Sequence, residues 1–122
     1  MPRFVILRHD APRGLHFDFM LERGGVLVTW ALREPPEPGA EITGEALFDH
    51  RLEFLDYQGP LSGGQGSVTR WDRGTFDEIE WTGDRLMVGL CGEKLACGAI
   101  ITRSGRGPAQ WRFVFSAARR ET

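Results

Sequence analysis

The sequence predicts an all-β protein, a small closed or nearly closed β-barrel with a polar concave face. Three observations support this. Apolar and polar residues alternate at a period of two in several short runs, and few stretches keep the 3.6-residue period of a helix. Sixteen glycines and seven prolines divide those runs at short intervals, as turns in a meandering sheet would. The 122 residues suffice for one modest core, so 1–122 is read as a single domain.

The elements follow in order. "RFVILRH" (3–9) and "LHFDFMLE" (15–22) read as strands. Gly24-Gly25 is a hairpin turn into a third strand, "VLVTWALR" (26–33). "EPPEPGAEITGEA" (34–46) reads as a proline-rich surface loop. A helical turn is expected only at 43–47 or in the last few residues. "HRLEFLDYQG" (50–59) reads as a strand or strand–bend. "SVTRWDRGTFDEIEW" (67–81) reads as two strands, turning at Arg73-Gly74. "DRLMVGLCGEKLACGAIITR" (84–103) reads as a hairpin turning at Glu93-Lys94, and "QWRFVFSA" (110–117) closes the domain.

Apolar residues make up 41% and charged residues 26% of the chain, with a net charge of −2. That profile excludes a disordered chain and a globally basic nucleic-acid binder. A local basic group, Arg103, Arg106, Arg112, Arg119 and Arg120, reads on charge alone as solvated surface. Cys91 and Cys97 are five residues apart and match no CxxC pair, so both read as small apolar strand residues. No apolar run reaches the roughly 18 residues that span a bilayer. The expected compartment is the cytoplasm, with no membrane partner.

The chemistry lies in the alternation. On a strand, Leu15, Phe17, Phe19 and Leu21 share one face, and His16, Asp18, Met20 and Glu22 share the other. His and Asp two positions apart on one face can converge on a point above the sheet. Every histidine has an aspartate nearby: His9-Asp10, His16-x-Asp18 and Asp49-His50. Imidazole with carboxylate is a divalent-metal ligand set or a general acid–base pair. Two readings remain open at this level. His16, Asp18 and His50 match the two-histidine, one-carboxylate triad of an iron oxygenase, which leaves His9 without a role. Alternatively, two histidines and Asp18 hold a metal while the third stabilises charge on a phosphate oxygen.

The stretches "HDAPRGLHFDFMLE", "WAL", "DHRLEFLDYQG", "GSVTRWDRGTF" and "GEKLACGAIITR", in this order, resemble the 3′-phosphoesterase domain of the bacterial DNA-repair ligase D, over about residues 4–115. The resemblance implies a small β-barrel. It also implies manganese-dependent removal of blocking groups from DNA or RNA 3′ ends: resection of a 3′-ribonucleoside and hydrolysis of a 3′-phosphate. By the same resemblance His9, Asp18 and His50 are the metal ligands and His16 is the catalytic histidine at the scissile phosphate, with Arg13 beside it. Mn2+ is the expected metal, with Zn2+ or Co2+ as alternatives. Asp10, Glu22, Arg51 and Met20 fall at positions expected to support the ligands or contact substrate, Asp10 by orienting His9. A monomer is expected, working with the ligase or polymerase of an end-joining system and nucleoid-associated when on DNA.

The chain also departs from the family pattern. Gly14 is an extra residue between the first two histidines. Met20 and Ile42 stand where the family has phosphate-binding arginines, and Phe54 stands where it has a tyrosine. Arg13, Arg33, Arg51 and Arg73 are candidates to restore the missing charge. A non-catalytic module that keeps the metal and binds a nucleic-acid end or a repair partner is therefore the alternative function.

Overall fold

The computed structural model describes residues 1–117, which form one antiparallel sheet of nine strands. These are β1 (Arg3–Ala11), β2 (Gly14–Arg23), β3 (Val26–Leu32), β4 (Glu41–Ala46), β5 (Gly59–Pro60), β6 (Ser67–Trp81), β7 (Arg85–Gly92), β8 (Ala96–Arg103) and β9 (Gln110–Phe115). The order β1-β2-β3-β4-β9-β8-β7-β6 returns to β1 through a β1–β6 pairing. Eight strands thus close a barrel, and the two-residue β5 extends the sheet beside β6.

The period-two alternation sorts side chains between the bore and the outer wall. Every barrel strand sends apolar groups into one cluster, including Ile6, Phe19, Leu32, Ile42, Phe76, Val88, Ile101 and Phe113. The bore is therefore filled with apolar side chains. The opposite parity of β1 and β2 faces outward. There Val5, Leu7 and Met20 form a second cluster with Leu27, Leu55 and Val68, flanked by Phe54 and Leu61. The segment between β4 and β6 lies over this patch of outer wall and supplies Leu55 to it. Full burial of such side chains contributes about 1.5–3 kcal/mol each.

Several elements differ from the sequence reading. Residues 41–46 are neither loop nor helical turn: they form β4, paired with β3 and with β9. Only Ile42 in this strand carries a large apolar side chain, which hides the strand signal. Gly44 is required because a Cβ there would lie 2.7 Å from the Phe113 ring and 2.8 Å from Leu32. The expected strand at 50–59 is instead a short 3₁₀ helix, Leu52–Leu55, whose Leu55 docks on the outer cluster.

Arg73-Gly74 is not a turn. β6 runs unbroken through it, and Gly74 serves a close approach instead, since a Cβ would sit 2.0 Å from the Cys91 carbonyl oxygen. The bend occurs nearby, where the β1–β6 register shifts between Ile6 and Leu7. The Gly24-Gly25 hairpin forms as expected, both glycines having positive φ. So does the β7–β8 hairpin at Glu93-Lys94, which the buried Asp72 carboxylate ties down by accepting the backbone N–H groups of Lys94 and Leu95. Cys97 is buried in the bore and Cys91 is exposed on β7. The helical turn expected in the last few residues, together with Arg119 and Arg120, lies outside the described residues.

Candidate functional site

The β1–β2 hairpin builds the centre of the site. Its register sets His9 opposite His16 and Leu7 opposite Asp18, so three outward side chains of adjacent strands meet. His9, His16 and Asp18 place their ligand atoms within 4.8 Å of one another. Asp18 is only 3% exposed. The cluster lies in a cleft of about 1260 Å³ on the outer wall. That cleft, rather than the bore, is the polar concave surface.

Donor and acceptor accounting shows what the cluster lacks. His9 Nε2 lies 2.8 Å from the Gln65 carbonyl oxygen, which can only accept, so Nε2 carries the proton. In a neutral ring Nδ1 then presents its lone pair to Asp18 Oδ2 at 2.9 Å. Two acceptors at this distance need a proton or a metal ion between them. The other carboxylate oxygen, Oδ1, lies 3.0 Å from His16 Nε2. The pair is not aligned as a hydrogen bond, and Oδ1 is buried without one. An orphaned buried carboxylate oxygen beside two imidazoles is a donor set that fits a divalent ion. Asp18 also raises the His16 imidazole above its usual range, opposed by partial burial and assisted by Glu45 and the Gly14 backbone.

His50 comes from another element and lines the same cleft, but it stands outside the three-residue cluster. Reciprocal backbone hydrogen bonds with Leu27 hold it in place. Its Nδ1–H donates to the Phe48 carbonyl at 3.0 Å, which leaves the Nε2 lone pair available to a ligand. Phe54 packs edge-on against the His50 ring at 5.5 Å, so the residue at the family's tyrosine position braces a histidine. Tyr57 instead hydrogen-bonds the Pro60 carbonyl.

The supporting residues separate into those the fold brings to the cleft and those it does not. Arg13, in the Pro12-Arg13 turn between β1 and β2, lines it. Asp10 does not orient His9; it is exposed, near Arg8 at 3.8 Å, while His9 uses Asp18 and Gln65. Glu22 is also remote, accepting the Arg3 backbone N–H at 2.8 Å at the far end of β2. Arg51 points to solvent and pairs with Glu53. Met20 shares a strand face with His16 and Asp18, yet it is 1% exposed within the outer apolar cluster and cannot touch a substrate. Ile42 faces the bore, so neither position holds a phosphate-clamp vacancy.

The cleft charge comes from elsewhere. Among the described residues, the arginines with no carboxylate partner are Arg13, Arg33, Arg70 and Arg106, and all but Arg70 line the cleft. Arg73 pairs with Glu93 and Asp56 and does not contribute. Arg106, read from sequence as solvated surface, sits in the β8–β9 loop at the cleft wall. Gln65 was also missed, because it acts through its backbone. The adjacent Gly66 in "GGQG" was the available signal: it has φ +88°, and a Cβ would lie 1.9 Å from the Asp10 carbonyl oxygen. Only glycine lets this loop approach β1 closely enough to deliver the Gln65 carbonyl.

No helix among the described residues is long and apolar enough to cross a membrane. Residues 7–103 match the family model of the DNA ligase D 3′-phosphoesterase domain. The multifunctional non-homologous end joining protein LigD of Pseudomonas aeruginosa is 35% identical over 124 residues, covering 92% of this chain and 15% of the relative. The Mycobacterium bovis protein of the same name is 35% identical over 110 residues, covering 83% and 14%. That of Mycolicibacterium smegmatis is 37% identical over 83 residues, covering 62% and 10%. The chain thus spans 15% or less of the length of each of these relatives. The matched segment contains the β1–β2 hairpin with its histidine–aspartate cluster and the segment that carries His50, and by this match the chain belongs to the DNA ligase D 3′-phosphoesterase domain family.

Proposed function

We propose that this protein is a divalent-metal-dependent phosphoesterase that hydrolyses terminal 3′-phosphates on DNA or RNA, with weaker resection of 3′-ribonucleosides. The observation that carries the reading is the His9–His16–Asp18 cluster set in a cleft that gathers, among the described residues, three of the four arginines without a carboxylate partner. Phosphoryl transfer depends on neutralising charge around the phosphate, and Arg13, Arg33 and Arg106 supply it here. His9, Asp18 and His50 hold the metal. When bound, the metal polarises a phosphoryl oxygen. His16 contacts the scissile phosphate and positions a proton at its oxygen. The mixed imidazole–carboxylate donor set suits Mn2+, with Zn2+ and Co2+ as competitors. The setting is end-joining repair in the cytoplasm, as a monomer on nucleic-acid ends beside a ligase or polymerase.

A second reading, a metal-holding module that binds ends without cleaving them, is favoured by Met20 and Ile42 standing in place of the family's two phosphate-binding arginines. Phosphate release from a 3′-phosphorylated primer–template, measured with manganese, with zinc and with chelator, separates the two. Manganese-dependent release supports the esterase. Tight binding of the end with no release supports the module.

The division of roles makes a further prediction. His50→Ala should weaken manganese binding by roughly 10–100-fold or more, whereas His16→Ala should keep it within about threefold and lower turnover by roughly 100–1000-fold. Isothermal titration with manganese, run beside the release assay, checks both. If His16→Ala loses the metal while His50→Ala keeps it, the ligand set is the compact His9–His16–Asp18 cluster and His50 is the substrate-side histidine.

A further inference from the structure

Phe48 is 80% exposed, and its ring is aligned with that of a neighbour. Its ring lies flat against the His50 imidazole, with centroids 5.0 Å apart and planes within 2° of parallel. His50 is itself held by backbone hydrogen bonds to Leu27, by its Nδ1 contact to the Phe48 carbonyl, and by the edge of Phe54. The backbone of Leu47 is anchored to Thr29. One face of the Phe48 ring therefore meets the imidazole in an offset stack. The other is a bare aromatic plane at the wall of the cleft that holds the His9–His16–Asp18 cluster and the arginines without a carboxylate partner.

We propose that Phe48 is a stacking platform for the nucleobase of the terminal nucleotide. The proposal rests on the nucleic-acid-end reading above and extends it from phosphate to base. A solvent-facing aromatic plane among cations suits a ligand that is itself a flat π-system attached to phosphate. Stacking accepts any base, because every base has a π-face, and so it selects for the presence of a base rather than its sequence. A base on Phe48 sits one ring beyond His50, which sets its sugar and phosphate beside the metal cluster. The platform thus does for the base what the arginines do for the phosphate, and makes Phe48 a substrate-positioning residue.

The test is equilibrium binding by fluorescence anisotropy, in manganese, of two 5′-labelled single-stranded oligonucleotides ending in a 3′-phosphate. One carries a normal terminal base and the other an abasic terminal residue. The wild type should prefer the base-bearing end by roughly tenfold. Phe48→Ala should lose that preference while binding the abasic end as the wild type does, and Phe48→Trp should restore it. An absent preference in the wild type, a preference retained in Phe48→Ala, or no binding of either oligonucleotide overturns the proposal. Phosphate release from the same oligonucleotides keeps the two readings apart. Base preference without release upholds the platform and overturns the esterase; release without base preference does the reverse.

Discussion

Asp18→Ala is expected to abolish manganese binding and to lower 3′-phosphate release by a thousandfold or more, on the order expected when the charge that organises a phosphoryl-transfer site is lost. Asp18 reaches both His9 and His16, at 2.9 and 3.0 Å. It is also the only anion of the cluster, so its removal takes away the attraction for a cation and leaves two imidazoles facing each other. Asp18→Asn keeps the shape and removes the charge, and it should fail almost as completely. Isothermal titration and the release assay read the two effects, and far-ultraviolet circular dichroism should show an intact barrel. Unchanged manganese affinity in Asp18→Ala would remove this residue from the metal centre.

The largest stability effect is expected at Met20. From sequence, arginine at this position looks like a restored phosphate clamp that should speed the reaction. The structure reverses that expectation. Met20 is 1% exposed and packs with Val5, Leu7, Leu27, Leu55 and Val68, none of which can pair a guanidinium. Met20→Arg should therefore destabilise the protein by roughly 3–5 kcal/mol, a fall in Tm of at least about 10 °C, with no gain in kcat/KM. Thermal melting and release kinetics on the same variant check this. A variant that melts like the wild type and turns over faster would show that the 47–66 segment lifts away to admit substrate.

The strand alternation made the barrel and the β1–β2 half of the site legible from sequence, because parity alone puts His16 and Asp18 on one face. Parity does not say how deep each position lies, and Met20 and Glu22 were misjudged for that reason. They share the face, but a 3₁₀ segment covers one and the other lies near the far end of the strand, beside Arg3. Positions defined by backbone approach were equally hidden. Gly44 and Gly74 read as loop and turn residues, whereas both are strand positions where a neighbour leaves no room for a Cβ. The cleft arginines could not be sorted from surface arginines by sequence, since what distinguishes Arg106 from Arg112 is that Glu41 neutralises only the latter.

The seam between β1 and β6 bears on how the molecule assembles. Most other strand pairs join neighbours in the sequence, whereas the seam joins Arg3 to Thr75 and Asp10 to Ser67, partners 72 and 57 residues apart. The entropy of closing such long loops makes the seam and the similarly distant β4–β9 pairing the costly, late steps of folding, after the hairpins. His9, His16 and Asp18 belong to the first hairpin and meet as soon as it zips. The Gln65 carbonyl precedes β6 and is delivered only when the seam forms. The site is thus half built early and finished last. Until closure, β1 and β6 present two unpaired edges to other chains, so the interval before the ring shuts is when self-association competes most directly with completion of the site.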